Sequence, residues 1–133
     1  MEIVLISLFI ATVMPILAKA PLALEMHRLK GYDNRNPRQQ QDRLEGFGAR
    51  CKAAHYNSFE ALIMYIPGAL AVVAVDAVTP LTEYYAMGFV FARFCYLLMY
   101  WLDQHILRST FWGVGFVLSL LMLWQAMAMV ASW

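Results

Sequence analysis

The sequence predicts an all-α membrane protein folded as a four-transmembrane-helix up-down bundle, and three observations carry that expectation. Of its 133 residues, 62% are hydrophobic and 14% are Asp, Glu, Lys or Arg, against roughly 45–50% apolar and about 25% charged in an average soluble domain. A soluble globule of this length could not hide that much apolar surface, which argues against a soluble enzyme. Next, four largely apolar stretches of the length needed to cross a hydrocarbon core, about 17–25 residues, are joined by shorter polar segments. Finally, seven of the ten basic residues crowd into one segment: Arg28, Lys30, Arg35, Arg38, Arg43, Arg50 and Lys52. The net charge is only +1, so no polyanion-binding surface and no nucleic-acid partner are expected. The whole chain, 1–133, reads as a single membrane domain.

The first span is expected at about 3–24, from Ile3 to Leu24, interrupted only by Lys19, whose long stem can carry its ammonium to the interface. Ala18-Lys19-Ala20 superficially resembles a signal-peptidase site, but Pro21 follows it and Glu2 stands where a positive region belongs. The span is therefore expected to be retained. A cytoplasmic loop at about 25–46 contains GYDNRNPRQQQDRLEG, polar and turn-rich at Gly31, Asn34 and Pro37. It reads as a solvated connector. The second span, about 47–75, has an apolar stretch from Phe59 to Val75 and an amphipathic lead-in from Phe47. Pro67 removes a backbone donor inside it and is expected to kink the helix near Ile63. The third span, about 83–102, is apolar from Ala86 to Leu102 except for Arg93; the fourth, about 110–133, is uncharged from Phe111 to Trp133.

Orientation follows from where the charges lie. The 25–52 segment holds seven Lys and Arg, the connection before span four holds Arg108, and 76–83 and both termini hold none. The positive-inside rule puts the first two in the cytoplasm and both termini outside. Tyr84, Tyr85 and Trp133 at the outer level, and Trp101 and Trp112 at the inner one, suit interfacial aromatic belts. His27 and His105 read as loop residues, and Cys51 and Cys95 as small packing residues; neither they nor any carboxylate cluster has metal-ligand spacing, so no metal is expected.

Polar residues inside the spans are the strongest functional signal, because a charge at membrane depth is expensive. Arg50, Ala53, Asn57 and Glu60 have offsets 0, 3, 7 and 10 and form one stripe on span two; Arg93, Tyr96, Tyr100 and Asp103 repeat those offsets on span three. Matched by depth from the cytoplasmic end, Glu60 falls level with Arg93, Asn57 with Tyr96, and Arg50 with Asp103. The stripes are expected to face each other, within or between subunits, and to line a polar cleft open to the cytoplasm. A structural Glu60–Arg93 ion pair also explains them. His55, about 160° around the helix from Asn57, reads as an interface residue. Arg108 and Ser109 open span four, where helix N-terminal amides already favour an anion and a guanidinium would stabilise a carboxylate or thiolate. Ordinary positive-inside anchoring accounts for that arginine equally.

These residues resemble the MAPEG family, the membrane-associated proteins of eicosanoid and glutathione metabolism, and in particular its small bacterial members. The resemblance spans essentially the whole chain. It is most specific at YDNRNPR (Tyr32 to Arg38), AAHYNSFEA (Ala53 to Ala61), ARFCYLLMY (Ala92 to Tyr100) and the RSTFW run from Arg108. It implies a homotrimer in a bacterial inner membrane, with periplasmic termini and with glutathione as co-substrate bound between neighbouring subunits near the cytoplasmic side. By position, Asn57 and Glu60 match the glutathione-contacting pair, and Tyr96 and Tyr100 match third-helix positions that also reach glutathione. Arg108 resembles the arginine assigned to thiolate activation, and Ser109 the serine beside it in prostaglandin E synthases. One departure stands out: mammalian relatives carry an arginine four residues before the asparagine, where this chain has Ala53. Arg50, one turn earlier, is the expected substitute.

The activity implied is thiolate attack on a lipophilic electrophile or hydroperoxide, giving a glutathione transferase or peroxidase. Arginines would serve the two glutathione carboxylates, with Glu60 taking the amine and Arg108 the thiolate. Two other classes compete. A non-catalytic lipid-binding or scaffold protein of the same fold is favoured by loss of the arginine at position 53. A small multidrug transporter would also use a membrane carboxylate, but its key glutamate belongs in the first span, whereas Glu60 lies in the second.

Overall fold

A computed structural model describes residues 1–132, so Trp133 lies outside the described residues. The chain forms α1 (Glu2–Arg28), α2 (Pro37–Asp42), α3 (Gly46–Ala74), α4 (Pro80–Trp101) and α5 (His105–Ala131), with no strand among the described residues. Five helices are thus present where four were expected. The additional one, α2, lies inside the segment read as a connector, and Pro37 at its first position, after Asn36, is the local reason it starts there. α1, α3 and α5 are long and apolar enough to cross a membrane. α4 has 22 residues, but Arg93 and its tyrosines dilute its apolar character.

The helices run past the apolar stretches used to find them. α1 continues through His27, placing that histidine in a helix; α5 begins at His105, so that residue and Arg108 also belong to a helix rather than a loop. α4 starts at Pro80, six residues before Ala86, because Thr79 caps it: Thr79 and Thr82 exchange reciprocal side-chain to backbone hydrogen bonds, and Pro80 presets the first turn. α3 remains helical through Pro67. α3 and α4 both end in Schellman turns, with Ala77 N–H donating to Val72 O and Gln104 N–H to Met99 O, each at 2.8 Å. The left-handed residues of these turns are Asp76 and Asp103, at φ 53° and 60°.

Chain direction reverses along the succession of long helices. Gly48 at the start of α3 packs beside Glu25 near the end of α1, Gln125 near the end of α5 donates to Ala77 O just after α3 at 3.3 Å, and Arg108 at the start of α5 lies over Tyr100 near the end of α4. The connections 75–79 and 102–104 therefore sit at opposite ends.

Many of the largest apolar side chains point outward, while alanines fill much of the interior beside larger residues such as Leu22, Tyr65 and Met122. Phe9, Ile16, Ile63, Phe91 and Trp124 are exposed, while Ala11, Ala18, Ala54, Ala61, Ala69, Ala86 and Ala126 are buried. With lipid as solvent nothing drives Leu and Phe into the centre, and small residues let helix backbones close in. An interhelical hydrogen bond such as that between Ser7 and Tyr65, 2.5 Å, is worth only about 0.6 kcal/mol on average in this setting. Packing therefore dominates, and Gly68 is its tightest point. A Cβ there would stand 2.7 Å from Ser119 O and 3.1 Å from Met122 Cβ, so Gly68→Ala must push α5 away and is expected to cost about 1–3 kcal/mol. Gly113→Ala, whose Cβ meets nothing within 4 Å, is the control and should be neutral or stabilising in a thermal melt in detergent. Equal melting of G68A and wild type would contradict this packing.

The 29–45 segment is ordered by one buried side chain. Gln40 donates through Nε2 to Met26 O and Gly31 O, at 2.9 and 2.6 Å, and accepts from Asp33 N–H at 2.9 Å. α2 is then tied to α3 by Lys52–Asp42, 2.5 Å, and by Tyr56 OH donating to Gln41 Oε1, 3.1 Å. Asp33 Oδ1 accepts from the backbone N–H of Arg35 and Asn36 at 2.9 and 3.0 Å. These bonds, that to Asn36 first, hold the Asp33 carboxyl below its ordinary pKa. A depressed carboxyl stabilises the turn fully above its unfolded pKa and loses that contribution as pH falls through the folded one. The protection of the Arg35 and Asn36 amides, their exchange rates taken relative to an unstructured chain at the same pH, should therefore fall from about pH 4 downward, and Asp33→Asn should abolish that pH dependence.

Candidate functional site

The two polar stripes meet near the end of the bundle formed by the end of α4 and the starts of α3 and α5. Arg93 is the deepest charged group, only 2% exposed. Its stem passes α5 where that helix has Gly115, and its Nη2 donates to Asn57 Oδ1 at 2.8 Å. Asn57 Nδ2 in turn donates to Glu60 Oε2 at 2.7 Å. The amide thus bridges cation and carboxylate, and the direct Glu60–Arg93 ion pair expected from depth matching does not form. Glu60 stays on the exposed face of α3, where its carboxylate escapes the desolvation that pairing with a buried guanidinium would impose.

From Arg93 toward the end of α4 runs a column in which two cations bracket two aromatic rings. The Arg93 guanidinium carbon lies 4.0 Å from the Tyr96 ring centroid; Tyr96 and Tyr100 meet edge to face at 5.5 Å; and the Arg108 guanidinium carbon sits 4.5 Å from the Tyr100 centroid. The periodicity of α4 explains the order, since positions 93, 96 and 100 fall on one face, and Arg108 reaches the last ring from the first turn of α5. Ser109 next to it is exposed. At the mouth, Arg50 Nη1 lies 3.6 Å from Asp103 Oδ2. The left-handed conformation of Asp103 belongs to the same turn that ends α4. Ala53 is half-buried between Arg50 and Asn57 and presents only a methyl group.

Two arginines are incompletely satisfied. Nε of both Arg50 and Arg93 is buried without a hydrogen-bond partner among the described residues. An anionic ligand with several acceptors fits such donors, and Glu60 and the tyrosine hydroxyls add acceptors for an amine and polar contacts for a peptide. The residues present thus suit a small peptide carrying carboxylates and an amine, and the start of α5 with Arg108 suits a thiolate.

Several neighbours of the site read from the sequence only as interface, belt or packing residues, and Tyr56 is given no role by it at all. His55 is buried and donates through Nδ1 to Pro15 O at 2.8 Å, joining α3 to α1. Tyr56, beside Asn57 in sequence, receives a hydrogen bond from Arg38 Nη1 at 2.5 Å. Trp101, read as an interfacial belt residue, packs against the buried clusters around Leu22 and Tyr96, with its Nε1 buried and unpartnered among the described residues. Cys51 and Cys95 are free thiols, the first buried. The Asn36-Pro37 pair was the available signal for α2, as a cap followed by a first-turn proline; nothing local marks Tyr56 as the anchor of Arg38.

No curated protein and no solved structure shows significant similarity to the chain. The family model described as "MAPEG family" matches residues 3–128, a range that contains the whole polar site and all four long helices almost to their ends. The chain belongs to the MAPEG family, the membrane proteins of eicosanoid and glutathione metabolism.

Proposed function

We propose that this protein is a membrane-embedded, glutathione-dependent transferase or peroxidase acting on lipophilic electrophiles or hydroperoxides. The observation that carries the reading is the continuous set Glu60–Asn57–Arg93–Tyr96–Tyr100–Arg108, in which a buried, incompletely satisfied guanidinium leads to a second one at a helix start. In this role Arg93 and Arg50 face the carboxylates of glutathione, Asn57 and Glu60 take its amine, and the tyrosines line the peptide. Arg108, with Ser109 beside it, favours the thiolate over the thiol. The sulfur then attacks an electrophilic carbon, forming an S–C bond as the leaving group departs with its electron pair. With a hydroperoxide, two glutathione thiols reduce the O–O bond to an alcohol and water and become a disulfide.

In this account all four long helices, α4 included, cross a bacterial inner membrane. The 29–45 segment is cytoplasmic and the termini periplasmic, as the charge distribution supports. The working unit is a homotrimer. Glu60 supports an oligomer, because it lies 14 residues into α3, about 21 Å along the axis, yet is exposed in the single chain. A carboxylate at that depth is expensive against lipid and inexpensive in a water-accessible cleft between subunits. The test is direct: adding glutathione to the purified protein should produce ultraviolet thiolate absorbance at neutral pH. Saturable binding with no thiolate signal would remove thiolate activation from the account.

An open apolar cleft of about 410 Å³ between α1 and α4, lined by Ile6, Ile10, Val90, Phe91 and Phe94 among others, favours a second reading, that of a lipid-binding or scaffold protein without chemistry. In the catalytic reading the same cleft serves a lipophilic substrate entering sideways from the bilayer. Retention of a spin-labelled fatty acid without any glutathione binding would favour the second.

A further inference from the structure

We propose that Arg38, carried by the short helix α2, is a carboxylate-binding residue of the glutathione site, a role that rests on the function proposed above. The stripe on α3 has no cation at the position next to Asn57: position 53 is alanine, and Arg50 stands a further turn away, 3.6 Å from Asp103 with its Nε still unpartnered. Arg38 brings one from outside the helix. Its Nη1 donates to Tyr56 OH at 2.5 Å, and its guanidinium carbon lies 5.5 Å from the Tyr56 ring centroid. Tyr56 stands three residues after Ala53 and four before Glu60, so it borders the stripe on the side away from Arg93.

Anchoring separates Arg38 from the other loop cations. Arg28 pairs with Glu25, Arg50 with Asp103 and Lys52 with Asp42; Lys30, Arg35, Arg38 and Arg43 have no carboxylate within ion-pairing distance among the described residues, and of these four only Arg38 has its side chain hydrogen-bonded. Its anchor is a neutral phenol, which fixes its position without consuming its charge. That phenol is itself oriented, because its hydroxyl hydrogen is committed to Gln41 Oε1 at 3.1 Å and its oxygen is free to accept from Arg38. A guanidinium held in place, exposed and lacking a counter-ion can still donate a forked pair of hydrogen bonds to a carboxylate. Arg38 then adds a third cation to Arg50 and Arg93 and shares one of the two carboxylates of the peptide, on the side of the stripe that Tyr56 borders.

Calorimetric titration of the full-length protein in detergent tests this, using glutathione, its glycyl ethyl ester, and an analogue with 4-aminobutyrate in place of the γ-glutamyl residue. Each analogue lacks one carboxylate. Arg38→Gln should weaken glutathione binding about tenfold yet leave the affinity for one of the two analogues unchanged, with Arg38→Lys recovering part of the loss. Wild-type affinity for glutathione in R38Q would overturn the assignment while leaving the proposed function intact. Equal weakening of all three ligands would reduce Arg38 to a structural role. Absence of glutathione binding by the wild type would overturn this assignment and the proposed function together.

Discussion

Replacing Arg108 by alanine is expected to lower turnover by about 10²-fold or more, the usual consequence of removing one preorganised electrostatic contact to a developing or reacting anion, with glutathione affinity changed only a few-fold. Arg108 occupies the first turn of α5, where backbone N–H groups lack intrahelical partners, and its guanidinium is fixed over the Tyr100 ring, 4.5 Å from the centroid. It takes part in no ion pair among the described residues. Its loss should therefore leave the fold intact and act on the reacting sulfur. Steady-state kinetics with a lipophilic aryl halide and with a lipid hydroperoxide measures the effect, alongside the thiolate absorbance of the glutathione complex. Unchanged turnover in R108A would remove this residue from the mechanism, and a loss seen only in affinity would make it a binding residue.

Asn57→Ala should act on stability and binding together. The amide is the acceptor for a guanidinium that is 2% exposed, and it also donates to Glu60. Deleting it removes a hydrogen bond to a buried charge, a loss of about 1.5–3 kcal/mol, and disconnects Glu60 from Arg93. Thermal unfolding in detergent should register the first effect and glutathione titration the second. The double variant Asn57→Leu, Arg93→Met separates them, since an apolar pair filling the same space restores stability while glutathione binding stays lost. An N57A protein as stable as wild type would show that Arg93 does not depend on this contact.

The sequence carried much of this molecule in its long apolar stretches, though not the helix ends. Apolar runs mark hydrocarbon, whereas a helix continues until its backbone is capped. Hence α4 reaches back to Pro80 through the Thr79–Thr82 capping box, and α5 back to His105, beyond the stretches at 86 and 111. α2 was missed because six residues rich in glutamine have no apolar period, and its support comes from Gln40 contacts with Met26 and Gly31, distant in sequence.

The site shows the same division. Equal spacing of 50, 53, 57, 60 and of 93, 96, 100, 103 placed two polar faces on two helices, and depth matching set Arg50 beside Asp103, which lie 3.6 Å apart. Periodicity fixes rotation about a helix axis but says nothing about how far a side chain extends. The long stem of Arg93 reaches Asn57 and leaves Glu60 at the surface of the single chain. Arg38 was legible only as one positive charge among seven; its bond to Tyr56 depends on how α2 folds back on α3.

Calorimetric titration of glutathione into the detergent-solubilised wild-type protein, run beside Glu60→Gln and Arg50→Ala, decides whether the polar cleft is a glutathione site. Saturable binding is expected for the wild type and is lost in Glu60→Gln, where the carboxylate facing the amine is gone, and in Arg50→Ala, where a carboxylate-facing cation is gone. No binding by folded wild-type protein at millimolar glutathione would contradict that assignment and leave the lipid-binding reading of the α1–α4 cleft in its place.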